Sequence, residues 1–232
     1  MKRTNEEILN AVHEKLIVSC QALPEEPLHS SFIMGRMAYA ASLGGAKGIR
    51  ANTVEDIEEI RKNVDLPIIG IIKKVYDDYP NVYITPTMQE VKALADIHCD
   101  IIAMDATCRT RPQGKELKDF FQEARSAYPD QLFMADCASI EDGMAAAKMG
   151  FDLIGTTLAG YTEYTKGVSV PPYSMIKYLI HHCGKPVVAE GNISTPEQLR
   201  HAMDMGAWTV VVGSAITRPY EITKKFVKAL ED

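Results

Sequence analysis

The sequence predicts a (β/α)8 barrel, and three observations carry that reading. Eight apolar runs, LIVSCQ, KGIR, IIGIIK, IIAMD, LFMAD, LIGTT, VVAEG and VVVGS, each end on a polar or charged residue. Amphipathic, helix-like stretches separate most of them. Three helix-to-strand joints, SLGGAKGIR, KMGFDLIGTT and DMGAWTVVVGS, repeat one design, with a glycine closing the helix before an apolar strand. Glycine at that place accepts the left-handed turn that ends a helix. The apolar runs are continuous rather than alternating, as parallel strands covered on both faces should be. Repeated right-handed αβ units make either an open doubly wound sheet or a closed barrel. Eight units in 232 residues favour closure, and the lack of GxGxxG after the first strand disfavours a dinucleotide fold.

Taken in order, a helix is expected over Asn5–Leu16, with Thr4 as N-cap and Glu6 and Glu7 in its first turn. LIVSC follows as a short strand. QALPEEPLHSS reads as a loop on the side where barrel loops lengthen freely. A helix near Phe32–Leu43 leads to KGIR, and Thr53–Asn63 opens on a Thr-Val-Glu-Asp cap signature before IIGIIK. NVYIT is β-like and is expected as a short extra strand. Helices over Met88–Ile97, Lys115–Tyr128, Ser139–Lys148, Tyr173–His182 and Pro196–Met205 precede the last five strands, and Arg218-Pro219 starts a closing helix to Leu230. The joint before IIAMD uses His98-Cys99-Asp100, so the repeat is imperfect.

Composition narrows the class. No linker or low-complexity stretch interrupts the chain, so residues 1–232 are expected to form a single domain. Hydrophobic residues make up 46%, enough for a sizeable core. The net charge of −6, with no basic patch, argues against a nucleic-acid partner. The charged N-terminus lacks the apolar core of a signal peptide. No apolar run approaches the roughly 18 residues that cross a membrane. Five scattered cysteines without CxxC fit a reduced, cytoplasmic protein, and Cys137 reads as a small packed residue. Six histidines (His13, His29, His98, His181, His182, His201) all fall in expected helices or loops, so no metal site and no cofactor are expected. His181-His182 reads as a helix end. The eleven methionines read as core filler.

In this fold the C-terminal strand ends carry the active site. The candidates are therefore Gln21, Arg50, Lys73, Asp105, Asp136, Thr157, Glu190 and Ser214. Gly191 and Gly213-Ser214 follow the seventh and eighth strands, where many barrels bind phosphate. Glycine lets backbone N–H groups approach phosphate oxygens, and Arg218 is near enough in sequence to add a charged contact. Otherwise the glycines only make tight turns. Lys73 ends a buried strand, but Lys74 follows and alternation alone does not choose between them. An isolated lysine is often only a snorkelling surface chain. Glu190 either works beside phosphate or pairs with Lys73 or Arg50. Arg50 either anchors substrate or makes a barrel-top ion pair. Asp105 and Asp136 suit sugar hydroxyls or the orientation of a base, though Asp105 is equally placed to hold Arg109 or Arg111.

The segments VSCQALPEEPL, GAKGIRAN, PIIGIIK, DIIAMDAT, FMADCAS, DLIGTTLAGYT, PVVAEGNISTPEQ and VVVGSAITRP resemble, in order and nearly end to end, the N-acylglucosamine-6-phosphate 2-epimerases. The resemblance implies a TIM barrel of sialic acid catabolism that interconverts N-acetylmannosamine 6-phosphate and N-acetylglucosamine 6-phosphate. It places the acid/base pair on Lys73 and Glu190, which settles Lys73 over Lys74. It places substrate contacts on Gln21, Arg50 and Asp136, and phosphate contacts on Gly191, Gly213 and Arg218. Thr157 and Asp105 receive no role.

Such a reaction removes the C2 proton of the ring-opened aldehyde and returns it on the other face through an enolate. A lysine at its ordinary pKa of ~10.4 lies about three units above neutrality, a gap of ~4–5 kcal/mol that burial or Arg50 must offset. Alternatively protonated Lys73 is the acid and Glu190 the base. The rival expectations are another phosphate-binding epimerase or decarboxylase barrel, often metal-dependent, and a non-catalytic sugar-phosphate binder. A homodimer is also expected, since exposed barrel helices often associate.

Overall fold

A computed structural model describes residues 3–231. Eight parallel strands close into a ring: β1 (Leu16–Cys20), β2 (Gly48–Asn52), β3 (Ile68–Ile71), β4 (Ile101–Asp105), β5 (Leu132–Asp136), β6 (Leu153–Gly155), β7 (Val187–Ala189) and β8 (Thr209–Val212). Closure is made where Leu16–Val18 of β1 run beside Val210–Val212 of β8, while the other edge of β1 pairs Ile17 with Gly48. The helices are α1 (Asn5–Val12), α2 (Ser31–Leu43), α3 (Val54–Asn63), α4 (Met88–Asp96), α5 (Leu117–Ala127), α6 (Ile140–Met149), α7 (Tyr173–His182), α8 (Pro196–Asp204), the one-turn α9 (Ser214–Thr217) and α10 (Pro219–Lys228). The (β/α)8 expectation is met.

The apolar runs serve two layers at once. Ile17, Ile69, Ile71, Ile101, Ala103, Leu132, Met134, Leu153, Val188 and Val211 form one buried cluster inside the ring. Their chain neighbours Val18, Ile68, Ile102, Phe133 and Ile154 pack outward against Ile57, Ile60, Leu94, Phe120, Phe121 and Leu179 of the helices. Side chains alternate across a strand, so both faces must be apolar. Each fully buried Ile, Leu or Phe stabilises the fold by ~1.5–3 kcal/mol.

Local signals place the elements. Thr4 and Glu7 form a reciprocal capping box on α1, and Thr53 accepts from the Asp56 N–H to cap α3. The three repeated joints use left-handed glycines of nearly equal φ, Gly45 at 100°, Gly150 at 103° and Gly206 at 97°. At the odd joint His98 takes that conformation instead, at 54°.

Two expectations need correction. The first helix stops at Val12 rather than Leu16, because Glu14 turns left-handed (φ 54°) and donates its N–H to Trp208 O at 2.7 Å. NVYIT forms no strand. It folds back on the end of β3 through one antiparallel bridge, Lys73 to Ile84, and Thr85 at φ 45° turns the chain away.

Candidate active site

The inward parity of each strand continues past its end. Ile17 is followed on the same face by Ser19 and Gln21, Ile71 by Lys73, Val188 by Glu190 and Val211 by Gly213. These residues, with Arg50, Thr157, Gly191, Ser214 and Arg218, line a cavity of about 820 Å³ at the C-terminal mouth of the barrel. A groove of similar volume outside the wall, beside α8 and α9, is lined by Leu16, Leu199, Val212, Ala215 and Ile216 and holds none of the strand-end ring.

Arg50 is the hub. Its guanidinium is buried and grips Asp136 with two bonds, Nη2 to Oδ2 at 2.6 Å and Nη1 to Oδ1 at 3.0 Å. Nη1 also donates to Glu190 Oε2 at 3.0 Å. Such planar, forked recognition of carboxylates is particular to arginine. Burial works against the Arg50 charge, but Asp136 and Glu190 outweigh it and hold its pKa above the usual value. Asp136 is itself fully buried behind Arg50.

Glu190 and Lys73 move toward each other in acidity. Burial raises the Glu190 carboxyl to about 7, with the Asp136 charge adding to the rise and Arg50, Thr157 and Lys73 opposing it. Its side chain retains 14% exposure, so it still meets the cavity. Burial lowers Lys73 to about 8, helped by the charges of Arg50 and Arg218. Lys73 is held at its backbone, where its N–H donates to Asn52 Oδ1 at 2.8 Å. Lys74 lies at the rim of the same cavity, turned to Glu90 Oε1 at 3.5 Å and over the Tyr76 ring. Two groups with pKa values drawn close to neutrality from opposite sides suit proton exchange.

The phosphate candidates gather on one wall. Gly191 has φ 114°, and a Cβ there would stand 3.1 Å from Thr156 O, so only glycine fits the turn easily. Gly213 caps α9 at its start. Arg218 reaches this wall held by Glu26, with Nε to Oε1 at 3.0 Å and Nη2 to Oε2 at 3.1 Å. Gln21 donates to Ser19 Oγ at 2.9 Å, while its buried Oε1 has no partner. An unpaired buried acceptor costs ~1–3 kcal/mol, which a ligand N–H or O–H would recover.

Asp105 stands apart. Arg109 Nη2 lies 2.6 Å from its Oδ2, Thr107 caps its Oδ1, and Arg111 donates to its carbonyl at 2.6 Å. Cys137 is packed and fully buried. Among the described residues no group of three or more His, Cys, Asp or Glu side chains is arranged to hold a metal ion.

Sequence reasoning missed Asn52, Glu26 and the contacts of Thr157 with Asp136 and Glu190. Asn52 was signalled by its place two residues after Arg50, on the same face of β2. Glu26 sits in an irregular loop with no period to read.

The chain has close relatives. Residues 34–232 match the family described as "Putative N-acetylmannosamine-6-phosphate epimerase". A protein of Listeria monocytogenes described as "Putative N-acetylmannosamine-6-phosphate 2-epimerase" is 51% identical over 228 residues, covering 96% of each chain. One of Clostridium perfringens with the same description is 50% identical over 224 residues, covering 97% of this chain and 100% of its own. The solved N-acetylmannosamine-6-phosphate 2-epimerase from Clostridium perfringens superposes with a TM-score of 0.92 at 49% identity, covering 99% of both chains. A thiamine phosphate pyrophosphorylase from Pyrococcus furiosus shares only the fold, with a TM-score of 0.61 at 17% identity. Identity near one half, sustained from end to end over a barrel with this strand-end ring, makes the chain a member of the N-acetylmannosamine-6-phosphate epimerase family.

Proposed function

We propose that the protein epimerises C2 of N-acetylmannosamine 6-phosphate to N-acetylglucosamine 6-phosphate, with Lys73 and Glu190 exchanging the proton. The carrying observation is the pair itself: a half-buried lysine lowered to about 8 and a half-buried carboxyl raised to about 7 line the same cavity. The C2 proton is acidic only when C1 is a carbonyl, so the sugar reacts as its open aldehyde. One member of the pair takes that proton, and its electron pair becomes the enolate. The other member returns a proton to the opposite face of C2, and the C1 aldehyde re-forms. Arg50 supplies fixed positive charge for the enolate oxygen. Gln21, with its free Oε1, and the Arg50–Asp136 pair hold the sugar. Gly191, Gly213, Ser214 and Arg218 hold the 6-phosphate, with Arg218 exchanging its Glu26 partner for phosphate or sharing it.

The same reading takes residues 1–232 as one domain in the cytoplasm, in amino sugar (sialic acid) catabolism. The five cysteines are all unpaired, which supports a reducing compartment. No described helix is long and apolar enough to cross a membrane. A homodimer fits α10, which buries none of its residues and exposes Tyr220, Phe226 and Val227. Neither nucleic acid nor a cofactor enters the scheme. A coupled assay on N-acetylmannosamine 6-phosphate is the deciding experiment, with turnover unchanged by EDTA and deuterium entering C2 from D₂O by NMR. Epimerisation without solvent exchange would remove the proton-transfer scheme, and loss of activity in EDTA would favour a metal-dependent barrel.

A further inference from the structure

Thr157, the strand-end residue left without a role by sequence, sits at the centre of the charged cluster. It follows β6 on the inward face, two residues after Gly155. Its Oγ1 donates to Asp136 Oδ1 at 2.6 Å and lies 3.3 Å from Glu190 Oε2. Arg50 Nη1 reaches the same two oxygens, each at 3.0 Å. The four atoms therefore close a ring, with two carboxylate oxygens at opposite corners and a cation and a hydroxyl at the others. The residue before it ties down the other half of Glu190. Thr156 Oγ1 donates to Glu190 O at 2.7 Å and accepts from Glu190 N at 3.1 Å. Two consecutive threonines thus hold the backbone and the carboxyl of one residue.

The hydroxyl differs in kind from the other partners of Glu190. The charged groups facing that carboxyl are Arg50 from β2, Lys73 after β3 and Asp136 from β5. A guanidinium has donors and no acceptor, so it cannot receive the hydrogen that Glu190 carries when neutral. A hydroxyl both donates and accepts. With Glu190 ionised, Thr157 offers it a proton. With Glu190 protonated, the carboxyl donates to the Thr157 oxygen while Thr157 goes on donating to Asp136. The carboxyl then has a partner in both states without moving.

We propose that Thr157 is a positioning residue for the proton-transfer step, an amphoteric hydroxyl that orients the Glu190 carboxyl in both of its protonation states and divides its hydrogen bond between Glu190 and Asp136. The proposal rests on the assignment of Lys73 and Glu190 as the exchanging pair, and the test separates the two. Turnover by the wild type together with an inactive Glu190→Gln variant establishes the pair, and the Thr157 variants then bear on Thr157 alone. A wild type inert toward N-acetylmannosamine 6-phosphate overturns both.

Thr157→Val removes the hydroxyl at nearly constant size. The bond it loses to ionised Glu190 is charge-assisted and outweighs the one lost to the neutral acid. The lower limb of the kcat pH profile is therefore expected to move up by about half to one unit. At pH 7 kcat is expected to fall about tenfold while KM stays within about twofold, the pattern of a lost transition-state interaction. Thr157→Ser keeps the hydroxyl and should bring the limb back and kcat to within about threefold of wild type. Thr157→Ala reads the same limb if valine does not fold beside two carboxylates. An unmoved limb in the Val or Ala variant, or a Ser variant as impaired as the Val variant, overturns the proposal.

Discussion

Asp105 and Asp136 face each other across adjacent strands, in direct register at the ends of β4 and β5. Both are fully buried, both lie on the inward parity, and both are paired to an arginine at 2.6 Å. Their partners differ in origin. Asp105 is held by Thr107 and Arg109, at most four residues along its own chain. Asp136 is held by Arg50 and Thr157, which come from β2 and from beyond β6. Local partners close a loop over the carboxylate and finish a structural knot. Distant partners span the barrel mouth, and the cation they fix is left to serve a third group, Glu190. The same residue type at equivalent positions thus builds a wall in one place and a site in the other.

The largest effects should fall on the pair that the distant network supports. Glu190→Gln and Lys73→Met are expected to lower kcat by about 10² to 10⁴ with the fold intact. The coupled assay and the D₂O exchange experiment measure this, and an active double variant would remove the pair from the mechanism. The wild-type kcat/KM profile should be bell-shaped, with limbs near 7 for Glu190 and 8 for Lys73. Ionised Glu190 with charged Lys73, and neutral Glu190 with neutral Lys73, carry the same number of protons. The bell therefore has the same limbs whichever member is the base, and deuterium tracing of the two directions is needed to assign the roles.

Substituting the two aspartates breaks the comparison directly. Asp136→Asn takes a partner from Arg50 and should lower kcat/KM about 10²-fold. It also removes a negative charge that raises Glu190, so the lower limb should move to lower pH. Asp105→Asn leaves Arg109 and Arg111 beside a neutral amide, and the damage should be to stability, about 3 kcal/mol read by chemical denaturation. Its kcat/KM should stay within about threefold. Loss of turnover in Asp105→Asn at unchanged stability would place both carboxylates in the site and end the distinction.

Much of this was legible in the chain. The polar strand ends marked the ring, and the glycines of the repeated joints marked the turns. Parity was not, because the runs are apolar on both faces and alternation left Lys73 and Lys74 open; the structure supplies the inward set. Counting by twos from buried strand positions reaches Gln21, Arg50, Lys73, Asp136, Thr157 and Glu190, but at β8 it reaches Gly213 and leaves Ser214 as the first residue of α9. What stayed hidden is pairing at long separation. Nothing local in IRAN, MADC or GTTL says that Arg50, Asp136 and Thr157 touch, because closure of the ring brings them together. Glu26 was hidden for the opposite reason: it lies in a loop, where no period exists to be read. NVYIT misled because alternating, β-prone residues need a partner edge, and only a single bridge, to Lys73 beyond the end of β3, was available.

The smallest effect should come from the neighbour of the largest. Lys73 and Lys74 are adjacent and chemically identical, and the pleat sends one into the barrel mouth and the other to the rim. Burial lowers Lys73, whereas its contact with Tyr76, with the charge of Glu90 adding to it, raises Lys74. A lysine held more firmly in its charged form is a worse base than a free one, and without it buried Glu90 still accepts from the Tyr76 hydroxyl and the Thr87 N–H. Lys74→Met should therefore leave kcat and KM within about twofold, as the coupled assay would read. A fall comparable to that of Lys73→Met would mean that the chain turns the other lysine inward in solution, and the parity that places the whole ring would have to be recounted from β3.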